Sequence, residues 1–300
     1  MDFKSGFVAL IGLPNVGKST LINAILKKKV SIVTPKPQTT RNKIMGVYNT
    51  PSRQIIFVDT PGIHKQKNTL DKFMNKSIDS ALSDVDLILL LVDATKVLFE
   101  QIQVALKKID TKKIPTFLVV NKVDETTVSK IYPQIEKLKD NNSFKEIVFI
   151  SAKKRQNLDL LLELIDPYLK DTVKYYEDED LESKEVDKFL ISEIIREKAL
   201  YLIQEEIPHG IGVKVDKLEK NGNLLNIYAT IYCEKQSHKG IIIGKQGQML
   251  KNIGQRARQE LEKIFGSKIF MELWVKVKEN WKDSNSLLSE LGFNNDDFNS

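Results

Sequence analysis

Short apolar runs recur along the first half of the chain, each bounded by polar or turn-forming residues. Residues 7–11 (Phe7-Val8-Ala9-Leu10-Ile11), 43–48, 54–59, 87–93, 116–120 and 147–150 are short and rich in Ile, Val and Leu, which predicts strands. Between them, 21–26, 99–109, 131–140 and 158–169 carry apolar residues at helical spacing and predict helices. Unbroken apolar strands alternating with amphipathic helices imply an α/β fold with a mostly parallel sheet covered on both faces. The pattern breaks between 167 and 184, where Tyr175-Tyr176-Glu177-Asp178-Glu179-Asp180 has no apolar face and reads as a solvated acidic linker.

A different order follows. Residues 184–203 predict an amphipathic helix burying Val186, Phe189, Leu190, Ile194, Ala199 and Leu200. Ile211, Val213 and Val215 alternate as a strand, and Asn221-Gly222 signals a hairpin. Leu225, Ile227, Ala229, Ile231 and Cys233 share one strand face, so Cys233 reads as a core residue. Gly244 to Gly247 separates two helices, the second running through Phe265. Met271, Leu273, Val275 and Val277 alternate as a last strand, with Trp274 on the other face. The order is helix, two strands, two helices, strand, a smaller α+β domain. The expected division is 1–172, an acidic linker over 173–184, a second domain over 185–292, and an Asn- and Asp-rich disordered tail over 293–300.

Composition narrows the class. The 300 residues suffice for two domains, and the net charge of +6 admits an acidic partner. The single cysteine excludes a disulfide framework and fits a reducing compartment. No apolar run approaches the ~20 residues that span a bilayer. The first strand starts too near Met1 for a signal peptide. The expectation is a cytoplasmic protein.

The strand ends carry the chemistry. Gly12-Leu13-Pro14-Asn15-Val16-Gly17-Lys18-Ser19-Thr20 fits G-x-x-x-x-G-K-[ST] between a strand and a helix. Gly12 and Gly17 let the backbone fold around an anion at the positive end of the helix. Lys18 reaches toward the β- and γ-phosphates, and Ser19 offers its hydroxyl to Mg²⁺. Asp59-Thr60-Pro61-Gly62 supplies a carboxylate for Mg²⁺, and Gly62 leaves room for its amide to approach a γ-phosphate. In the polar stretch 34–41, either Thr39 or Thr40 can complete the metal site; we favour Thr40. Asn121-Lys122-Val123-Asp124 is the base-specific signal: the Asp124 carboxylate accepts from N1–H and the 2-amino group of guanine, which adenine does not present. After the next strand, Ser151-Ala152-Lys153 would line the base, with the Ala152 amide aimed at guanine O6. The cofactors expected are therefore GTP or GDP and Mg²⁺.

In the second domain, Gly244-Lys245-Gln246-Gly247 between two helices matches the G-x-x-G loop of a KH domain. Small residues let a nucleic-acid backbone approach closely, next to a helix N-terminus. Ile241, Ile242, Ile243, Leu250 and Ile253 would border a groove for unstacked bases. Lys239, Lys245, Lys251, Arg256 and Arg258 would supply positive charge.

Together these motifs resemble a translation-factor-type GTPase domain. With the KH-like half, and with Pro37-Gln38-Thr39-Thr40-Arg41, Ser192 to Lys198 and Glu272 to Val277, nearly the whole chain resembles the bacterial Era ribosome-assembly GTPases. The resemblance implies a P-loop GTPase domain followed by a type II KH domain. It implies GTP hydrolysis and binding to the 3′ end of small-subunit ribosomal RNA during assembly of the small ribosomal subunit. It also implies some peripheral contact with the inner face of the cell membrane. DNA binding is not expected, and a monomer is. Ile63 stands where Ras-like proteins place a water-orienting glutamine, and His64 beside it reads as a bystander. Asn15 resembles the asparagine that helps hold K⁺ against the phosphates in potassium-activated members; the alternative is that it only shapes the loop. The acidic linker departs from the family's Pro-containing segment. Two competing readings remain: an RNA-binding protein that holds nucleotide without turning it over, and a GTPase acting on another RNA, such as tRNA.

Overall fold

The structure, a computed structural model, describes residues 3–36, 38–136, 144–177, 184–203 and 210–293. Pro37, most of the acidic run, the end of the helix expected over 131–140 and the tail from 294 lie outside the described residues. The side chain of Val186 does too. The chain divides into two compact units, Met1–Gln66 with Met74–Glu177, and Lys67–Phe73 with Asp178–Ser300.

The first unit holds a six-stranded sheet of β1 (Lys4–Gly12), β2 (Ile44–Thr50), β3 (Arg53–Asp59), β4 (Leu87–Asp93), β5 (Thr116–Asn121) and β6 (Glu146–Phe149), in the order β2-β3-β1-β4-β5-β6. All neighbours are parallel except the edge strand β2, which runs antiparallel to β3. Its helices are α1 (Lys18–Leu26), the part of α2 (Thr69–Ala81) from Met74 on, α3 (Leu98–Leu106), α4 (Val128–Glu136) and α5 (Leu158–Ile165). Strand alternation splits the core in two. Leu10, Phe57, Leu89, Leu91 and Val119 pack with α1 and α5, while Ala9, Ile11, Leu90, Val92 and Val120 pack on the opposite face with α3 and α4. Leu89 and Leu90 are fully buried on opposite faces, and truncating either to Ala costs about 2–5 kcal/mol.

This topology positions the site. Register pairs Leu10 with Asp59, Gly12 with Leu91 and Asp93 with Asn121, so the carboxyl ends of β1, β3, β4 and β5 lie along one edge. The strand order reverses at β1, where ligands bind in open α/β sheets.

The first compact unit runs to Glu177, past the boundary expected at 172. Ser5 Oγ donates to the Val173 carbonyl (2.6 Å), and Gln54 Oε1 accepts from the amides of Tyr175 (2.8 Å) and Tyr176 (3.1 Å). The Gln54 amide nitrogen donates back to Tyr176 O (2.8 Å), and Tyr175 meets Phe7 edge-on at 4.9 Å. Composition hides these contacts because the partner, a buried glutamine, lies 121 residues away.

The second unit contains α6 (Lys184–Leu202), β7 (Gly212–Asn221), β8 (Leu224–Cys233), α7 (Gln236–Ile243), α8 (Gln248–Phe265), β9 (Lys268–Val277) and a short α9 (Asn285–Glu290). Its sheet order is β7-β8-β9, with β7 antiparallel and β9 parallel to β8. Leu225, Ile227, Ala229, Ile231 and Cys233 are all buried. Trp281, just beyond β9, is fully buried and donates its indole N–H to Gly210 O (2.9 Å).

Candidate nucleotide and RNA-binding sites

The loop between β1 and α1 depends on its glycines. Gly12 (φ 155°) would place a side chain against the Leu91 carbonyl, and Gly17 (φ 102°) would place one against the Asn121 amide. Lys18 is buried, and its Nζ donates to Gly12 O (3.0 Å) and Leu13 O (3.2 Å). Burial lowers its pKa to about 8, against the opposing pull of the Asp59 charge. Val16 anchors the loop in the core below. Ser19 and Thr20, both half-buried, follow in the first turn of α1.

Three oxygen-bearing side chains converge beside this loop. Ser19 Oγ donates to Asp59 Oδ2 (2.7 Å) and lies 2.9 Å from Thr40 Oγ1. Thr39 turns away, pairing with Thr34 Oγ1 (2.7 Å) and donating to Lys36 O (2.6 Å). Ser31 Oγ also donates to Asp59 Oδ2 (3.0 Å), a contact that no sequence motif announces. Burial pushes the Asp59 carboxyl above its ordinary range, although Lys18, Ser19, Ser31 and the Thr60 amide pull it down. Asp59 Oδ1 is buried with no hydrogen-bond partner. A hard divalent cation with oxygen ligands suits that orphaned carboxylate oxygen and the two hydroxyls beside it.

The base end is held by side-chain struts. Asn121 Nδ2 donates to Val16 O (2.9 Å), while Asn121 Oδ1 accepts the Ala152 amide (3.0 Å). One asparagine therefore ties the phosphate loop to the 151–153 loop. The Ala152 N–H, expected from the sequence to face guanine O6, is engaged within the protein. Lys122 adopts a left-handed conformation (φ 66°), and its ammonium contacts Asp93 Oδ2 at 2.6 Å. Burial raises the Asp93 pKa, but hydrogen bonds from Lys122 and Thr95 outweigh it and hold it low. Asp124 is exposed in a short 3₁₀ turn. Ser151 is fully buried and accepts the Lys154 amide (3.0 Å), and Lys153 makes an exposed contact with Glu125 (3.5 Å).

In the second unit the G-x-x-G turn needs its glycines for conformation. Gly244 (φ 72°) and Gly247 (φ 75°) take positive φ, and a side chain at Gly244 would strike Met249 at 2.7 Å. Gln246 also has positive φ (51°), and Lys245 and Gln246 are exposed at the tip. A groove of about 1220 Å³ runs from Gly247 between α8 and β9, lined by Leu250, Lys251, Arg258, Phe270 and Leu273 among others. Ile242 and Ile253 do not border it; both are fully buried under the helices. Ile243 is half-buried at the end of α7 and Lys239 half-buried on it. Arg256 lies on the other side of α8, lining a smaller groove with Lys198, Tyr201 and Lys263.

Comparison with known proteins agrees with both units. Residues 7–122 match the family described as 50S ribosome-binding GTPase, and residues 206–282 match the KH domain family. The chain is 49% identical over 291 residues to GTPase Era of Clostridium kluyveri, covering 97% of this chain and 99% of that one. It is equally 49% identical over 298 residues to GTPase Era of Caldanaerobacter subterraneus, covering 98% and 99%. The chain belongs to the Era GTPase family. Two solved Era structures share its fold with a TM-score of 0.91, each covering 97% of this chain and 99% of the other. One is an Aquifex aeolicus Era variant bound to GDP and AlF₄⁻, 39% identical. The other is an Era in complex with MgGDPNP and nucleotides 1506–1542 of 16S ribosomal RNA, 40% identical.

For an Era-family GTPase, the surroundings of residue 63 matter. Ile63 is buried (8% exposed) in the core with α3, and its amide donates to Gly12 O (3.1 Å). Gly62 packs so tightly that a side chain there would meet Pro14 at 2.8 Å. His64 Nδ1 lies 2.7 Å from the Gly62 carbonyl. Asn15 (φ 64°) is exposed and donates its side-chain amide to Pro35 O (2.8 Å), joining the phosphate loop to the 34–36 segment.

Proposed function

We propose that this chain is a GTP-hydrolysing switch that binds the 3′ end of small-subunit ribosomal RNA and assists assembly of the small ribosomal subunit. The observation that carries the reading is the convergence of Ser19, Thr40 and Asp59 beside the buried Lys18, in a chain that also presents a G-x-x-G loop. The Era structure holding MgGDPNP with 16S ribosomal RNA supports joining the two activities. Ser19, Thr40 and Asp59 are the residues that would hold Mg²⁺, whose chemistry is to neutralise charge on the phosphate oxygens. Lys18 and the loop amides from Asn15 to Thr20 bind the phosphates. Asp124, with Asn121, Lys122 and the 151–153 loop around it, selects guanine.

Asp124 gives the direct test of base choice. Asp124→Asn should lower GTP affinity at least tenfold and shift preference toward xanthosine triphosphate, which carries oxygen at position 2. Equal affinity of the wild-type protein for ATP and GTP contradicts the assignment.

A rival reading, a nucleotide holder without turnover, rests on Ile63, which is buried and has no group to orient the attacking water. Against it, Asn15, whose side-chain amide donates to Pro35 O, would offer its side-chain oxygen to a monovalent cation. A K⁺ ion there would place positive charge where negative charge builds up on the phosphate oxygens in the transition state. Hydrolysis should run faster in K⁺ than in Na⁺ at matched ionic strength, and absence of phosphate release in both supports the rival. No helix of the described residues is long and apolar enough to cross a membrane. A cytoplasmic location with peripheral contact at an anionic surface belongs to the same proposal, and the pI near 9.0 suits the second part of it.

A further inference from the structure

Strand alternation on β9 places Lys268, Phe270, Glu272, Trp274 and Lys276 on one face of the sheet, the face turned away from α8. All five are exposed, Phe270 by 46% and Trp274 by 41%. Tyr228 of β8 pairs with Glu272, so its ring lies between the two aromatics. The Tyr228 centroid is 6.0 Å from that of Phe270 and 6.2 Å from that of Trp274, whose ring is within 19° of parallel. The Lys217 ammonium, which also pairs with Glu219, lies 6.0 Å over Tyr228. The result is a continuous ladder of three rings with lysines at both ends and above its middle.

Two features argue for what covers this ladder. First, it is continuous with the candidate RNA groove: β9 is the edge strand, and Phe270 lines the groove as well as the ladder. Second, the β9 row combines π-surfaces with Lys268 and Lys276 and a single carboxylate, Glu272, while Lys217 of β7 is shared with Glu219. Stacking rings beside lysines suit the bases and phosphates of an unpaired strand. We propose that the Phe270–Tyr228–Trp274 ladder is a stacking platform for bases of single-stranded RNA that leave the groove between α8 and β9. This rests on the RNA reading of that groove.

Trp274 is its own reporter. The chain has two tryptophans, and Trp281 is fully buried, so the red, solvent-exposed emission belongs to Trp274. The full-length chain is titrated with fluorescently labelled oligouridine and oligoadenylate of four, eight and twelve nucleotides. The four-nucleotide probes should bind with little quenching, and the longer ones should bind more tightly and quench the red emission. In Tyr228→Ala/Trp274→Ala, two ladder residues that do not line the groove, the gain from four to twelve nucleotides should fall by about 5–150-fold per stacked base, with four-nucleotide affinity unchanged. Trp274→Phe should restore most of it. Long probes that bind without quenching overturn the platform and leave the groove reading standing. Failure of every probe to bind, with no quenching, overturns both. A wild-type chain that dimerises in sedimentation while the double variant stays monomeric assigns the face to a second copy and overturns the proposal. Because quenching is read on wild-type protein, a poorly folding variant does not remove the test.

Discussion

Lys18 in the free protein donates to two carbonyls of its own loop, in a site dry enough to lower its pKa to about 8. Its folded-state pKa lies below the ordinary 10.5, so between those values the unfolded chain binds more protons and stability rises with pH. Nucleotide phosphates reverse the balance by favouring the charged form. Binding of GDP should therefore take up most of a proton at pH 9 and far less at pH 7. Calorimetry in two buffers of different ionisation enthalpy measures this; buffer-independent heats at pH 9 contradict it. Asn121 carries a second residue-scale prediction. Asn121→Ala removes both struts between Val16 and Ala152 and should cost about 1–3 kcal/mol in the free protein, measured by urea unfolding, besides its effect on nucleotide. A variant as stable as wild type would mean that the struts form only with ligand bound.

At the scale of elements, each parallel strand delivers a polar residue to one edge, and that much was legible in the sequence. Buried parallel strands are unbroken apolar runs, so Gly12, Asp59, Asn121 and Ser151 stand out at or just past their ends. Helices were less legible. Charged residues crowd α2 and mask Met74, Ile78 and Ala81, which recur at helical spacing. The 3₁₀ turn at Trp281 is placed by one tryptophan filling the core, a tertiary contact without periodicity, and α9 is too short to show a period, resting on the Ser284 cap and the buried Leu287 and Leu288. The choice between Thr39 and Thr40 was open in the sequence because it turns on the position of Thr34. Arg256 and Arg258 illustrate the reverse. Two residues apart on a helix point to different sides, so one faces α6 and the other β9. For the loop that opens α8, replacing Lys245 and Gln246 with Asp should weaken RNA binding at least tenfold and flatten its salt slope. Unchanged RNA binding by the folded double variant would move the site elsewhere.

At the scale of the molecule, one chain joins a γ-phosphate sensor to an RNA module, and the account stands on their being coupled. Loops ordered by γ-phosphate and Mg²⁺ change the state of a GTPase unit, and Thr40 and Gly62 lie in such loops. Coupling of this kind is typically about 1–3 kcal/mol, or 5–150-fold in affinity, and it is reciprocal at equilibrium. The deciding measurement is a pair of titrations on the full-length chain. RNA carrying a small-subunit 3′-end sequence is titrated against the GDP form and against the form bound to a non-hydrolysable GTP analogue. The analogue is then titrated with and without that RNA. The account predicts at least a fivefold difference in the first pair and the same factor in the second. Equal affinities in both pairs would contradict it, leaving a GTPase and an RNA-binding domain that share a chain without acting on each other.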